Sequence, residues 1–429
     1  MSPAMQTATE PRFEARGAIE ALRAGVPNAL SVRALGCDQP RIEVEFSEQL
    51  EAAASGNAAE GMLINGDFGT GKSHCLEYLR ELALAQNFAV SRVYVNKETP
   101  LHDPVKLFQG AADSVSLPSR TGPAFHEIAN QLVFNSEQFR DFERWANHTA
   151  SGVDPRFSSS LLLFEKCGSE HDFRDHLIRF WAGAKLPVSD VRSRLKKIGE
   201  PYIAGYLSQR DFAIQRFRFA SRLMRAARYA GRVILIDEVE LVGTYSALQR
   251  AKSYVEIARL MQMAAEPGMC MVPVLAVTDD FTSAILEEKK DLEKIPALLR
   301  NRVNVDPDAS SMACAGMRIL ADNGISLKRP DVNALDETCA HIRALYAKAY
   351  GWEPATAEPV RREQSTPLRA YIRRWITEWD LHRLHPEARV DLETAQWRAD
   401  YSEEDETQDS GEEVPSDQSL IDDVLGDIL

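Results

Sequence analysis

Residues 61–80 read Gly61-Met62-Leu63-Ile64-Asn65-Gly66-Asp67-Phe68-Gly69-Thr70-Gly71-Lys72-Ser73-His74-Cys75-Leu76-Glu77-Tyr78-Leu79-Arg80. A short, mostly apolar run leads into G-x-x-x-x-G-K-S, and a helix-prone run follows it. Strand, glycine loop and helix in that order are what a phosphate-binding P-loop needs. Glycines let the backbone turn its N–H groups inward as an anion nest, and the helix that starts there adds its own unpaired N–H groups and dipole. Gly66, Asp67, Phe68, Gly69, Thr70, Gly71, Lys72, Ser73 and His74 are therefore the expected nucleotide-binding residues. Lys72 would reach the β- and γ-phosphates, and the Ser73 hydroxyl would ligate Mg²⁺. A bare glycine turn with a solvent-facing lysine is the competing reading, and the flanking strand and helix patterns count against it.

About 165 residues further on, Arg232-Val233-Ile234-Leu235-Ile236 precedes Asp237-Glu238. Four consecutive β-branched or leucine residues suit a strand buried on both faces of a parallel sheet. Ligands of open α/β sheets lie at the carboxyl ends of such strands. Asp237 is expected on Mg²⁺ and Glu238 on the attacking water, as a Walker B pair. Val272-Pro273-Val274-Leu275-Ala276-Val277 predicts another buried strand, ending at Thr278-Asp279-Asp280. Thr278, with Asp279 beside it, would stand between the two motifs to position water or sense the γ-phosphate; a plain strand-end turn is the equal alternative. Arg302, and next Arg300, precede an expected last strand at Val303-Asn304-Val305. An arginine at that edge would enter a neighbour's active site, which implies a homo-oligomer.

The remaining pattern is mostly helical. Residues 12–24 form an expected helix stopped by Gly25-Val26-Pro27-Asn28, and two short helices precede the P-loop strand. Phe88 to Asn96 reads as a second core strand. Residues 104–230, too long for one crossover, predict a helical insertion. Its end carries Arg218, Arg222 and Arg225 on one helix face with Phe212, Phe217 and Phe219 interleaved. That face is either DNA-contacting or, as the preferred reading, the solvated side of a core-packed helix. Helices are expected at 310–323, 331–350 and 367–381, the last carrying Arg369 where a lid arginine would reach back to the γ-phosphate. The expected division is 1–11 disordered, 12–307 an ATPase unit containing the insertion, 308–400 a helical lid, and 401–429 an acidic disordered tail.

Composition sets bounds on function. The 429 residues are 44% hydrophobic and 27% charged, ordinary for a globular chain. The net charge of −14 is concentrated in the tail, where eleven acidic residues and no Lys or Arg follow Tyr401. The body is near neutral, so DNA is not excluded as a partner. Leu420, Ile421, Val424, Leu425, Ile428 and Leu429 make the tail's end an amphipathic helix, which either docks a protein partner or folds back on the chain. Six scattered cysteines without C-x-x-C, no apolar leader and no long apolar window predict reduced thiols in a cytoplasmic protein without a membrane span.

P-loop, Walker B, polar strand end, edge arginine and lid arginine together resemble the AAA+ class of ATPases, within its origin-recognition and initiator-like branch. Residues 15–27, 65–73 and Ile236-Asp237-Glu238-Val239-Glu240 resemble more closely still the BrxD family of ATP-binding proteins from BREX bacteriophage-defence systems. That resemblance covers about residues 12–385. It implies ATP and Mg²⁺ as cofactors, hydrolysis with Lys72, Glu238, Thr278, Arg300 and Arg302 in the catalytic set, and action on or near DNA. It also implies partner defence proteins, often a helicase. Asp279 and Asp280 depart from the asparagine common at that strand end in AAA+ proteins.

Overall fold

Val233–Ile236 and Val272–Val277 offer no polar side, so each strand has to be covered on both faces. A computed structural model of the chain describes residues 11–118, 124–166, 170–204, 207–300, 308–322, 324–355 and 368–386. Its five strands are β1 (Met62–Asn65), β2 (Phe88–Tyr94), β3 (Gly231–Asp237), β4 (Met271–Val277) and β5 (Gly324–Ser326). All are parallel and lie in the order β2-β3-β4-β1-β5. Register pairs Leu63 with Leu275, Leu235 with Val274, and Val93 with Ile236.

Before β1 come α1 (Pro11–Ala24), α2 (Ala29–Leu35) and α3 (Pro40–Ala54); α4 (Lys72–Ala85) follows the glycine loop. Between β2 and β3 lie α5 (Pro104–Asp113), α6 (Ala124–Asn130), α7 (Glu137–Asn147), α8 (Pro155–Lys166), α9 (His171–Trp181), α10 (Val188–Lys197) and α11 (Gln209–Ala226). α12 (Ala247–Ala264) precedes β4, and α13 (Asp291–Arg300) and α14 (Ala309–Asp322) follow it; α15 (Val332–Tyr350) and α16 (Leu368–Leu384) close the described chain.

Alternate strand residues feed two apolar layers, as a period of two requires. Met62, Ile64, Val90, Val233, Leu235 and Val274 join α3 and α4 on one face. Leu63, Val93, Ile234, Ile236 and Leu275 join α5, α11, α12 and α14 on the other. The segment 104–230 is helical in its described residues apart from one bridge, Ser116 to Val90. Its apolar cluster, with Phe157, Phe164, Trp181 and Phe219, runs on into that second sheet layer rather than forming a core of its own.

One feature differs from the sequence expectations. The fifth strand is Gly324–Ser326, inside the stretch 308–385 that the pattern assigned to helices alone; three residues are too few to show a period. The strand expected at 303–305 lies outside the described residues. α1, grouped by sequence with the P-loop unit, buries Ala15, Ile19 and Leu22 against Ile342, Tyr346, Trp375 and Ile376 of α15 and α16.

α12 and α14 touch at backbone distance. A Cβ on Gly316 would overlap the Tyr254 carbonyl. Beside that contact, Arg250 donates to both Asp291 oxygens at 2.8 and 2.9 Å, and the Tyr254 hydroxyl donates to Asp291 at 2.7 Å, all buried. Overpacking that a rigid backbone has to absorb costs ~1–3 kcal/mol. Gly316→Ala is expected to lower stability by that amount in urea unfolding; an unchanged midpoint would contradict the close approach.

Candidate nucleotide site

β1 ends at Asn65, and Gly66 N–H donates to Val277 O at 3.1 Å, which ties the loop's start to the end of β4. Gly69 and Gly71 take φ of 74° and 111°, a region other residues enter only under strain. Within the loop, Thr70 donates to Asp67 O through its N–H at 3.3 Å and through its hydroxyl at 2.8 Å. Asp67 pairs with Arg329 from beyond β5. His74 Nε2 lies 2.7 Å from Gly36 O, fastening α4 to the turn after α2; burial pushes its pKa down.

Lys72 is folded back rather than extended into solvent. Its Nζ donates to Gly66 O at 2.8 Å, sits 5.0 Å from the Phe68 ring centroid, and lies 3.3 Å from Glu240 Oε1. The two side chains of that ion pair are only 8% and 1% exposed. Burial pushes the Glu240 carboxyl up to about 7 while Lys72 opposes the shift. Glu240 was quoted in the sequence pattern without a role. Its one legible signal was an acid two residues beyond Glu238, and the 3-10 turn over Val239–Thr244 is what swings it inward.

The raised pKa has a stability consequence. The folded chain binds the Glu240 proton more tightly than the unfolded chain. The associated stabilisation is therefore complete below the ordinary glutamate pKa and is lost as pH rises through about 7. Between about pH 5 and about pH 8, Glu240→Gln is expected to lose less stability than the wild type, by on the order of 2 kcal/mol. Urea unfolding at both pH values measures this, and equal losses would contradict the buried carboxyl.

β3 delivers the acidic pair. Asp237 is wholly buried, its Oδ1 accepting from Glu238 N–H at 3.1 Å and its Oδ2 from Arg92 Nη2 at 3.0 Å. Glu238 adopts φ 61° and ψ 34°, a left-handed conformation that costs a non-glycine residue about 1 kcal/mol or more. Burial, then Asp237, raise its pKa, while Lys72 and Arg369 oppose the rise. Arg369 opens α16, donates its N–H to Gly69 O at 3.4 Å, and fills the space beside Gly25 that a Cβ would need. Arg373, one turn on, donates to Arg23 O and Ala24 O at 3.1 and 2.9 Å. The helix carrying Arg369 is thus fixed to both the loop and the end of α1.

Thr278 is buried and Asp279 exposed at the end of β4, the strand between β1 and β3. Partial desolvation raises the Asp279 pKa, with Lys72 opposing the rise and Asp280 adding to it. Arg300 ends α13 exposed to solvent, and Arg302 lies outside the described residues. The arginine face of α11 is engaged internally. Arg218 makes two bonds to Glu266, Arg222 stacks 5.1 Å from the Trp145 ring, and Arg225 donates to Ala230 O at 3.1 Å. Sequence reasoning also passed over Arg92 and Glu77, although a charge within the apolar run Phe88–Val95 was a visible sign.

Among the described residues no three His, Cys, Asp or Glu side chains gather to hold a metal. Arg92 Nη2 brings Ser73 and Asp237 near one another, bonding Ser73 O at 3.1 Å and Asp237 Oδ2 at 3.0 Å, and Mg²⁺ is usually held by one or two protein oxygens completed by phosphates and water. No helix among them is long and apolar enough to cross a membrane. The family model described as BREX system ATP-binding protein BrxC/D matches residues 11–195 and 203–373. Neither a curated protein nor a solved structure matches the chain.

Proposed function

This chain belongs to the BREX system ATP-binding protein BrxC/D family, and on that premise we propose that it is an AAA+-type ATPase whose turnover remodels or loads a DNA-associated complex in phage defence. The observation that carries hydrolysis, beyond binding, is the setting of Glu238. It follows Asp237 directly at the carboxyl end of β3, its N–H bonded to Asp237 Oδ1 at 3.1 Å and its backbone left-handed, and both Lys72 and Arg369 act on its half-buried carboxyl.

In this reading the loop N–H groups from Gly66 to Ser73 bind the phosphates. Lys72 exchanges Glu240 and Gly66 O for the β- and γ-phosphates. Ser73 and Asp237 would hold Mg²⁺, which would supply charge neutralisation on the phosphate oxygens. Glu238 accepts a hydrogen bond from the attacking water and takes its proton, while Thr278 or Asp279 orients that water. Arg369 stabilises negative charge as the bond to the leaving phosphate breaks, and Arg300 or Arg302 would do so from a neighbouring copy.

A second reading, a nucleotide-gated switch with little turnover, draws support from the anchoring of Arg369 between the loop and Gly25. A DNA-binding module built on α11 loses its basis, since Arg218, Arg222 and Arg225 are committed to intramolecular contacts. DNA would then be met through other surfaces or through partner defence proteins. Phosphate release by the purified full chain with Mg²⁺, with and without DNA, and wild type against Glu238→Gln, separates the two remaining readings.

A further inference from the structure

The charge at the metal half of the site is supplied by a side chain of β2. Arg92 Nη1 donates to Glu77 Oε2 at 2.8 Å, and its Nη2 donates to Asp237 Oδ2 at 3.0 Å and to Ser73 O at 3.1 Å. The three charged side chains are 11%, 10% and 1% exposed, so solvent screens them little. Register puts this cation there: β2 pairs with β3 so that Arg92 stands opposite Leu235, two residues short of Asp237, and α4 crosses over the same spot.

Two buried carboxylates near the Ser73 carbonyl form a set of hard oxygen donors that would attract a divalent cation unaided. A guanidinium between them removes that attraction and repels a second cation. Its two separate forks also fix Asp237 relative to α4, which a lysine's single ammonium would do less rigidly.

We propose that Arg92 is a positioning residue that makes metal entry conditional on nucleotide. While the site is free of phosphate, Arg92 offsets the charge of Asp237 and shares Glu77 with Arg80, whose Nη1 lies 3.1 Å from Glu77 Oε1. Only when nucleotide phosphates add their own negative charge does the balance favour a divalent cation at Ser73 and Asp237. The inference rests on the nucleotide reading of this site and adds an order of assembly to it.

The test uses Mn²⁺ as the probe, its binding to the full chain followed by electron paramagnetic resonance without nucleotide and with ADP. Wild type is expected to bind Mn²⁺ at least ~100-fold more tightly with ADP present. Arg92→Met should raise the affinity without nucleotide by ~10-fold or more, Arg92→Lys should stay within ~3-fold of wild type, and adding Asp237→Asn to Arg92→Met should remove the gain. Equal wild-type affinity with and without ADP overturns the proposal. So does a folded Arg92→Met whose nucleotide-free affinity is unchanged, or a gain that survives Asp237→Asn. Should Arg92→Met fail to fold, Arg92→Gln, which keeps hydrogen-bond donors but no charge, takes its place with the same expected gain, and an unchanged affinity there overturns the proposal equally. Failure of the nucleotide reading would look different, as wild type that binds no fluorescent ADP at any Mn²⁺ concentration.

Discussion

Lys72→Ala is expected to lower ATP affinity by ~100-fold or more, because two charge-assisted hydrogen bonds to phosphate, each worth ~1.5–3 kcal/mol, are lost together. The buried pair with Glu240 adds a second effect to the same substitution. Removing one partner of a buried ion pair costs up to ~3–5 kcal/mol when the remaining charge has no outlet. Glu240 has one, since its pKa of about 7 lets it take up a proton. The stability loss at neutral pH should therefore be smaller, ~1–3 kcal/mol, and should shrink further as pH falls. Lys72→Ala with Glu240→Gln should recover stability but not ATP binding. Titration with a fluorescent ATP analogue, beside urea unfolding of both variants, separates the effects. Affinity that returns in the double variant would mean that Lys72 acts on the fold and not on the phosphates.

Glu238→Gln is expected to keep ATP affinity within ~3-fold of wild type and to lose turnover by ~10²–10⁴-fold, the usual worth of a positioned general base. Glutamine preserves size and one acceptor oxygen but cannot take a proton from water. The left-handed backbone at this residue and the hydrogen bond from its N–H to Asp237 are independent of the side chain, so the strand end should keep its shape. Single-turnover phosphate release measures the effect. Equal rates would move the base elsewhere, with Asp279, exposed at the end of the neighbouring strand β4, the next candidate.

How much was legible varied by feature. The P-loop, its strand and its helix were readable because each requirement is local: glycines where φ is positive, a lysine and serine at fixed offsets, apolar runs on either side. The core strands Gly231–Asp237 and Met271–Val277 were readable because burial on both faces leaves an apolar signature, and Phe88–Tyr94, an edge strand, from its apolar residues around Ser91 and Arg92. Gly324–Ser326 was not, since three residues carry no period and pairing with β1 decides their state. The arginines of α11 showed the helical spacing of a face, but only packing reveals that Glu266 and Trp145 occupy them.

Sequence alone therefore determined the glycine loop between strand and helix, the acidic strand end and the parallel α/β class, all products of short-range pattern. Tertiary structure alone decided which charges meet. Glu240 reaches Lys72 across 168 positions of chain and Arg92 reaches Asp237 across 145, and α16 brings Arg369 to Gly69 across 300. Such encounters depend on strand order and helix crossing, and in a dry interior it is these meetings that set which charges are held, neutralised or free to move to a ligand.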